Sequence, residues 1–390
     1  MATGVREEMG NIAVIEGLRG LAVIWVLVFH YYVVRAEAFP ADPWIQAVLS
    51  SVPVTVIISN GYLGVDLFFL ITGFLLTLQW FRHAQQGLPP PAARDFYRRR
   101  ALRILPAYYV QLLFIFFICI PLLRDLTFWK TDLRYYLVNL SAHVMMVHYM
   151  TPLTSTSVGI NGALWTLALE AQYYVLLPLL APLLVRGPRI GAAVLVALAI
   201  TWRWAAAYDL KPIVDAYMTM SVEWDLPESR IRQLLGTQLP AYLAHFAAGI
   251  LCGYYWLRWR ARTPMGWEKF AWPLVAIAGL AILFSMHSAN GIRLGDYTWT
   301  LIPLSMGMVM LAVVSSGAGF AQPLLANAPL LFAGRISYST YLYHLPLLLL
   351  WNKFSPISGW ASLPIYATIV VGAGYLSWRF VEIPYLKRRG

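Results

Sequence analysis

The sequence predicts an all-α, polytopic bundle of membrane-spanning helices. Three observations carry that prediction. Of 390 residues, 59% are hydrophobic and only 12% are charged, whereas soluble domains carry about 25% charged residues. Apolar runs long enough to cross a bilayer recur along the chain, and mean hydropathy is +0.62; helices satisfy their own backbone in lipid, so such runs read as spanning helices. Basic residues also segregate between alternate connections, as they do in polytopic proteins.

Apolar segments fall at about 12–34, 61–81, 104–123, 133–150, 164–185, 189–208, 238–257, 271–288, 297–316, 336–352 and 361–385. The weakest is 133–150, which contains Asn139, Ser141, His143 and His148. Charge decides whether it crosses. With a cytoplasmic N-terminus and no crossing at 133–150, seventeen Lys and Arg lie inside and ten outside, the outside set including Arg35, Arg124, Lys130, Arg203 and Arg293. With a crossing there, the counts become thirteen and fourteen. The bias toward basic cytoplasmic loops therefore favours about ten transmembrane helices, with 133–150 as a re-entrant or interfacial piece. A single integral membrane domain over 1–390 follows, multi-pass in the cell membrane with both termini cytoplasmic.

The net charge of +11 is thus mostly topology signal, and no nucleic-acid partner is expected. The first apolar segment carries Arg19 and no small-residue cleavage pattern, so a removable signal peptide is not expected. Cys119 and Cys252 both lie in apolar runs, which implies neither a disulfide scaffold nor a metal site. The longest extramembrane stretch, about 209–237, carries Asp209, Asp215, Glu223, Asp225 and Glu228. "GLPPPAAR", Gly87 to Arg94, is a short linker stiffened by proline.

Titratable groups inside spans are costly and mark function. Arg19 and His30 lie in one helix, eleven residues or about three turns apart, so they share a face with His30 roughly 16 Å further along. Asp66, Glu170 and His344, each on a different span, fall at a depth similar to His30. "YRRRALRILPAYY", Tyr97 to Tyr109, stacks Arg98, Arg99, Arg100 and Arg103 at a cytoplasmic helix end, and Arg100 and Arg103 share a face. The pattern suggests an anion site at Arg19 and the arginine cluster, with His30 as a deeper base and a carboxylate, Asp66 or Glu170, fixing its tautomer. A donor with phosphates at one end and a reactive group at the other fits, such as a coenzyme A thioester, because arginine suits phosphate. The acceptor would approach from outside.

Five segments in order resemble the acyltransferase family 3 membrane proteins: the Arg19/His30 pair, "GVDLFFLITGF" (Gly64 to Phe74), "RRRALRILPAYY" (Arg98 to Tyr109), "LWTLALEAQYY" (Leu164 to Tyr174) and "SYSTYLYHLPLL" (Ser337 to Leu348). The resemblance runs from Ile15 to "FVEIPY", Phe380 to Tyr385. It implies about ten spans and movement of an acyl group, often acetyl from acetyl-CoA, to a glycan or glycosylated small molecule across the membrane. By that resemblance Arg19 and His30 match the essential pair, and Arg100 and Arg103 match the R-x-x-R arginines. The chain looks like a stand-alone member without a C-terminal hydrolase-like domain, and Thr72 stands where many members have Ser.

The expected roles are therefore His30, Asp66 and Glu170 in catalysis and Arg19, Arg99, Arg100 and Arg103 at the acyl-CoA. Trp165, Tyr338 and His344 are expected at the acceptor, and no metal is expected. His143 and His148 are expected to pack, Glu382 to end the last span, and most Trp and Tyr to sit at the interfaces; His83, His245 and His287 carry no argument. Transient acylation of His30 remains open. The rival class is a transporter or flippase for a sugar-containing substrate, which would also use intramembrane charges.

Overall fold

The computed structural model describes residues 2–38, 40–123, 133–155, 160–221, 226–260, 268–288, 298–316, 321–355, 357, 359 and 362–387. For 2–12, 52, 260, 268–270, 283–288 and 298–300 it describes the backbone alone. Among the residues discussed above, Arg124, Lys130, Glu223, Asp225 and Arg293 lie outside the described set, as does the side chain of His287.

Every regular element among the described residues is helical. In chain order they are α1 (Ala2–Ala38), α2 (Pro43–Ser50), α3 (Val52–Ser59), α4 (Leu63–Gln85), α5 (Ala93–Phe114), α6 (Ile120–Leu123), α7 (Leu133–Val144), α8 (Trp165–Arg186) and α9 (Pro188–Tyr208). Then come α10 (Lys211–Met220), α11 (Glu228–Gly236), α12 (Leu239–Arg260), α13 (Glu268–Ser288), α14 (Thr298–Ser315), α15 (Ala321–Leu325), α16 (Ala328–Phe354), α17 (Ser362–Ser377) and α18 (Ile383–Leu386). Among the described residues, six stretches are long and apolar enough to cross a membrane: Ala13–Ala38, Leu63–Gln85, Ala93–Leu123, Gly162–Arg186, Pro188–Tyr208 and Glu228–Trp259. Four further helices, α13, α14, α16 and α17, bring the bundle to about ten. The large apolar side chains left exposed, such as Phe117, Leu179, Ile190 and Leu274, suit a lipid-facing surface.

Among the described residues, segment 133–150 forms no helix long enough to span a membrane. α7 has 12 residues, about 18 Å of helix against about 30 Å of hydrocarbon. A turn and one 3₁₀ turn at His148–Met150 follow it. It is stitched to the third span by Tyr136, whose hydroxyl donates to Phe116 O at 3.0 Å, and by Tyr108, which donates to His143 O at 2.9 Å. Phe116 lies in the π-turn Ile115–Cys119 between α5 and α6, where the regular backbone ladder is interrupted.

α1 and α16 form the central pair. Their backbones approach so closely that only glycine fits: a Cβ on Gly334 would lie 2.0 Å from Glu16 O, and one on Gly20 would lie 2.2 Å from Leu330 O. Small residues allow this closeness in membrane helices. α4 packs beside α1 and α12, and the core joins α4, α5, α8, α12 and α16.

Two arginines counted in external connections belong to the packed interior. Arg35, at the end of α1, is fully buried; its Nη2 donates to Asp42 Oδ2 at 2.8 Å and to Ile357 O at 3.0 Å. Arg203 lies inside α9, 5% exposed, and its Nε donates to Ala241 O at 3.1 Å. Charge counting places a basic residue by its position along the chain, so it misses an arginine near a helix end that folds inward.

Candidate active site

A cavity of about 140 Å³ lies between α1, α4, α5, α8 and α16. Val65, Phe68, Phe69, Ile71, Leu75, Leu76, Ile104 and Leu167 make its walls apolar. Its polar groups come from Arg19, Thr72, Arg100, Arg103, Thr166, Glu170, Tyr174, Ser337, Tyr338 and Tyr341. At one end it adjoins a recess lined by Glu16, Arg19, Arg100, Arg103, Arg335 and Trp378. Arg19, Arg100 and Arg103 line both. The predicted meeting of Arg19 with the R-x-x-R arginines is thus present as geometry, and Arg335 joins it. Arg99 lines neither space.

Each arginine is held differently. Arg19 Nη2 donates to Ser337 Oγ at 3.0 Å, and Nη1 lies 3.6 Å from Glu16 Oε2. Arg103 Nη1 lies 3.1 Å from Glu382 Oε2. Glu382 is 2% exposed and accepts from Ser339 Oγ at 2.6 Å. It was expected only to end the last span, and it anchors an arginine of the site instead. Arg100 has its guanidinium carbon 5.9 Å from the ring centroids of both Phe96 and Tyr174. Stacking of this kind holds the charge in place while leaving N–H donors for an anion.

Glu170 faces the cavity. Its Oε1 accepts from Thr72 Oγ1 at 3.1 Å and from Tyr174 OH. Tyr338 lines the same space and donates to Ile104 O at 2.9 Å, with Arg103 6.0 Å from its ring centroid. Trp165 does not line the cavity. It packs with Phe69, Tyr149 and Tyr242 at centroid distances of 6.1, 5.4 and 5.3 Å.

Phe68 and Tyr341, edge to face at 6.3 Å, line the cavity as well. One turn along α16 from Tyr341 comes His344, which meets His30: His344 Nε2 lies 3.2 Å from His30 Nδ1, and the ring centroids are 4.8 Å apart. His30 Nδ1 also contacts Val26 O at 3.0 Å, and His344 Nδ1 contacts Tyr341 O at 2.6 Å. His344 is 1% exposed and His30 is half-buried.

The four polar groups expected at one depth therefore separate into three places. His30 and His344 pair. Glu170 lies in the cavity. Asp66 is not the carboxylate beside His30; its Oδ1 lies 2.8 Å from His245 Nε2 on α12, both groups being buried. His245 was missed because a lone histidine in an apolar run gives no sign of which helix it will face. Thr72, Tyr174, Ser337 and Tyr341 were also missed as individual contributors, although all four fall inside the quoted motifs.

A helical bundle with an arginine-lined recess, an apolar cavity adjoining it and a buried histidine pair is a membrane protein with a polar site inside the bundle. The acyltransferase-domain family model matches residues 12–379, and the chain belongs to that family, acyltransferase family 3. It is 24% identical to the peptidoglycan O-acetyltransferase OatA of Listeria monocytogenes over 96% of this chain and 55% of that protein. It is equally 24% identical to the O-acetyltransferase OatA of Staphylococcus aureus, over 96% of this chain and 57% of that protein. Nodulation protein 10 of Rhizobium leguminosarum bv. viciae is 27% identical over 84% of this chain and 82% of its own length. The chain spans somewhat more than half the length of the two O-acetyltransferases. No solved structure matches it.

Proposed function

We propose that this protein is a membrane O-acyltransferase that carries a short acyl group, acetyl above all, from cytoplasmic acyl-CoA to a hydroxyl of an extracytoplasmic glycan. The observation that carries this reading is the continuity of the arginine recess with an apolar cavity that stops one helical turn short of His344 and its partner His30. Family membership and the O-acetyltransferase names of two relatives support the reaction class, and the word peptidoglycan in one of those names supports a glycan acceptor.

The charged end of the donor sits on Arg19, Arg100 and Arg103, and its thin arm enters between Phe69, Leu75 and Leu76. A cavity near 150 Å³ holds a group the size of benzene, so about 140 Å³ takes a two-carbon acyl group with the thiol end of the arm and no long chain, and the rest of the arm lies in the arginine recess. Glu170 accepts hydrogen bonds from amide N–H groups of the arm. The acceptor hydroxyl gives its proton to His30 as its oxygen attacks the thioester carbonyl. The C–S bond then breaks, and the departing thiolate recovers the proton. The charge count along the sequence supports the orientation, with both termini and the arginine recess cytoplasmic in the cell membrane.

Purified protein in nanodiscs tests this with acetyl-CoA. Charge-assisted hydrogen bonds are worth about 1.5–3 kcal/mol, so Arg100→Ala and Arg103→Ala should each weaken acetyl-CoA binding roughly 10- to 100-fold. His30→Ala should bind acetyl-CoA like the wild type and release no free thiol in the presence of a peptidoglycan fragment. A wild type that neither binds nor cleaves acetyl-CoA or longer acyl-CoAs would remove the donor assignment and favour a transporter.

A further inference from the structure

The contacts of the histidine pair fix where its protons lie. A backbone carbonyl only accepts, so the 2.6 Å contact with Tyr341 O puts a proton on His344 Nδ1. A neutral His344 then has its lone pair on Nε2. That lone pair faces His30 Nδ1 at 3.2 Å, whose other neighbour, Val26 O at 3.0 Å, also accepts only. His30 Nδ1–H is therefore the donor to both, and the free lone pair of His30 is on Nε2.

His344 is anchored as well as aimed. Its own carbonyl accepts from Tyr366 OH at 2.8 Å. Two residues later Pro346 lacks the N–H that would bond Leu342 O, and Asn161 Nδ2 donates to that carbonyl at 3.0 Å instead. The stretch of α16 that carries His344 is thus tied to α17 and to the segment leading into α8.

We propose that His344 is the positioning residue of His30 and the second site for the proton His30 accepts. This rests on the reading of His30 as the base. The acceptor's proton moves to His30 Nε2 as the new C–O bond forms. The resulting charge spreads through Nδ1–H to His344 Nε2. The proton returns to the thiolate when the C–S bond breaks. A carboxylate in this place would carry a permanent charge among apolar helices, which is costly; an imidazole is charged only during turnover.

Two substitutions separate positioning from packing. His344→Asn places an amide N–H near the former Nδ1 and keeps the bond to Tyr341 O, but offers nothing to His30. His344→Gln reaches the former Nε2 position with its carbonyl oxygen. Acetyl-CoA cleavage should fall about 100-fold or more in kcat for His344→Asn, with KM for acetyl-CoA unchanged, and the Gln variant should recover at least about tenfold of that loss. Equal rates in Asn and Gln variants that both elute as folded protein would overturn the proposal. In wild-type protein labelled with ¹⁵N-histidine, a scalar coupling across the N–H···N bond should join His30 to His344. A fully active protein without that coupling would also overturn it. Undiminished turnover in His30→Ala would instead sink the base assignment, and with it any catalytic use of a pair that the coupling still detects.

Discussion

Arg103 owes its place in the site to Glu382, a residue from the opposite end of the chain. Their 3.1 Å contact is nearly sealed from solvent on the Glu382 side, and Ser339 fills the other carboxylate oxygen. Removing one partner of a buried pair strands the other charge. Glu382→Gln keeps the shape and frees the Arg103 guanidinium to swing. It should therefore raise KM for acetyl-CoA several-fold and leave kcat within about twofold, read by steady-state thiol release; a loss confined to kcat would place Glu382 in the chemistry instead. Single residues were legible in the sequence where the signal was periodicity. Arg19 and His30 in phase, and Arg100 and Arg103 one turn apart, could be picked without knowing any neighbour. Partners could not. Nothing in the chain distinguishes Asp66 from His344 as the group that reaches His30, because that depends on which helices touch.

At the scale of elements, the end of α1 is buckled to α2 and to the connection between α16 and α17. Asp42 caps α2 by accepting from Trp44 N at 2.9 Å, and its other oxygen takes Arg35 Nη2 at 2.8 Å and Gly359 N at 3.0 Å. Burial alone would raise the pKa of the Asp42 carboxyl; the amide of Gly359, the Arg35 guanidinium and the amide of Trp44 outweigh it, and the group titrates below its ordinary value. The stabilisation it provides is therefore present above the unfolded carboxylate pKa, near 4, and is lost as pH falls through the lower folded value. The thermal midpoint of the detergent-solubilised protein should drop on acidification below about pH 4 by less in Asp42→Asn than in the wild type. At neutral pH, Asp42→Ala should cost about 3–5 kcal/mol, because it takes the carboxylate away from the buried Arg35 guanidinium. The helices themselves were legible from hydropathy, whereas 133–150 reads as apolar by hydropathy and only the count of basic residues sets it apart from the spans. The clasp was not, because Arg35 reads as an ordinary flanking charge until Asp42 is brought against it.

At the scale of the molecule, the number of crossings decides which end of the cavity meets acyl-CoA. α7 is too short to cross, so Gln86, just past α4, and Arg186, at the end of α8, should face the same side. A crossing at 133–150 would put them on opposite sides. The chain is well suited to deciding this by thiol labelling, because its two cysteines, Cys119 and Cys252, are both buried, and Gln86 and Arg186 are both exposed. In sealed right-side-out vesicles, Gln86→Cys and Arg186→Cys should both resist a membrane-impermeant maleimide and both react after permeabilisation. Asp215→Cys, on the exposed face of α10, should react without permeabilisation. If Arg186→Cys reacts from outside while Gln86→Cys does not, α7 and its flanks cross the membrane and the later helices invert. Gln86 reports the side of the arginine recess, since Arg100 and Arg103 of that recess lie in the first half of α5, the helix that follows Gln86 in the chain. Labelling of Gln86→Cys from outside would therefore give the anionic end of the donor to the exterior, where acyl-CoA is not supplied, and the acyl-CoA assignment would fall with the orientation.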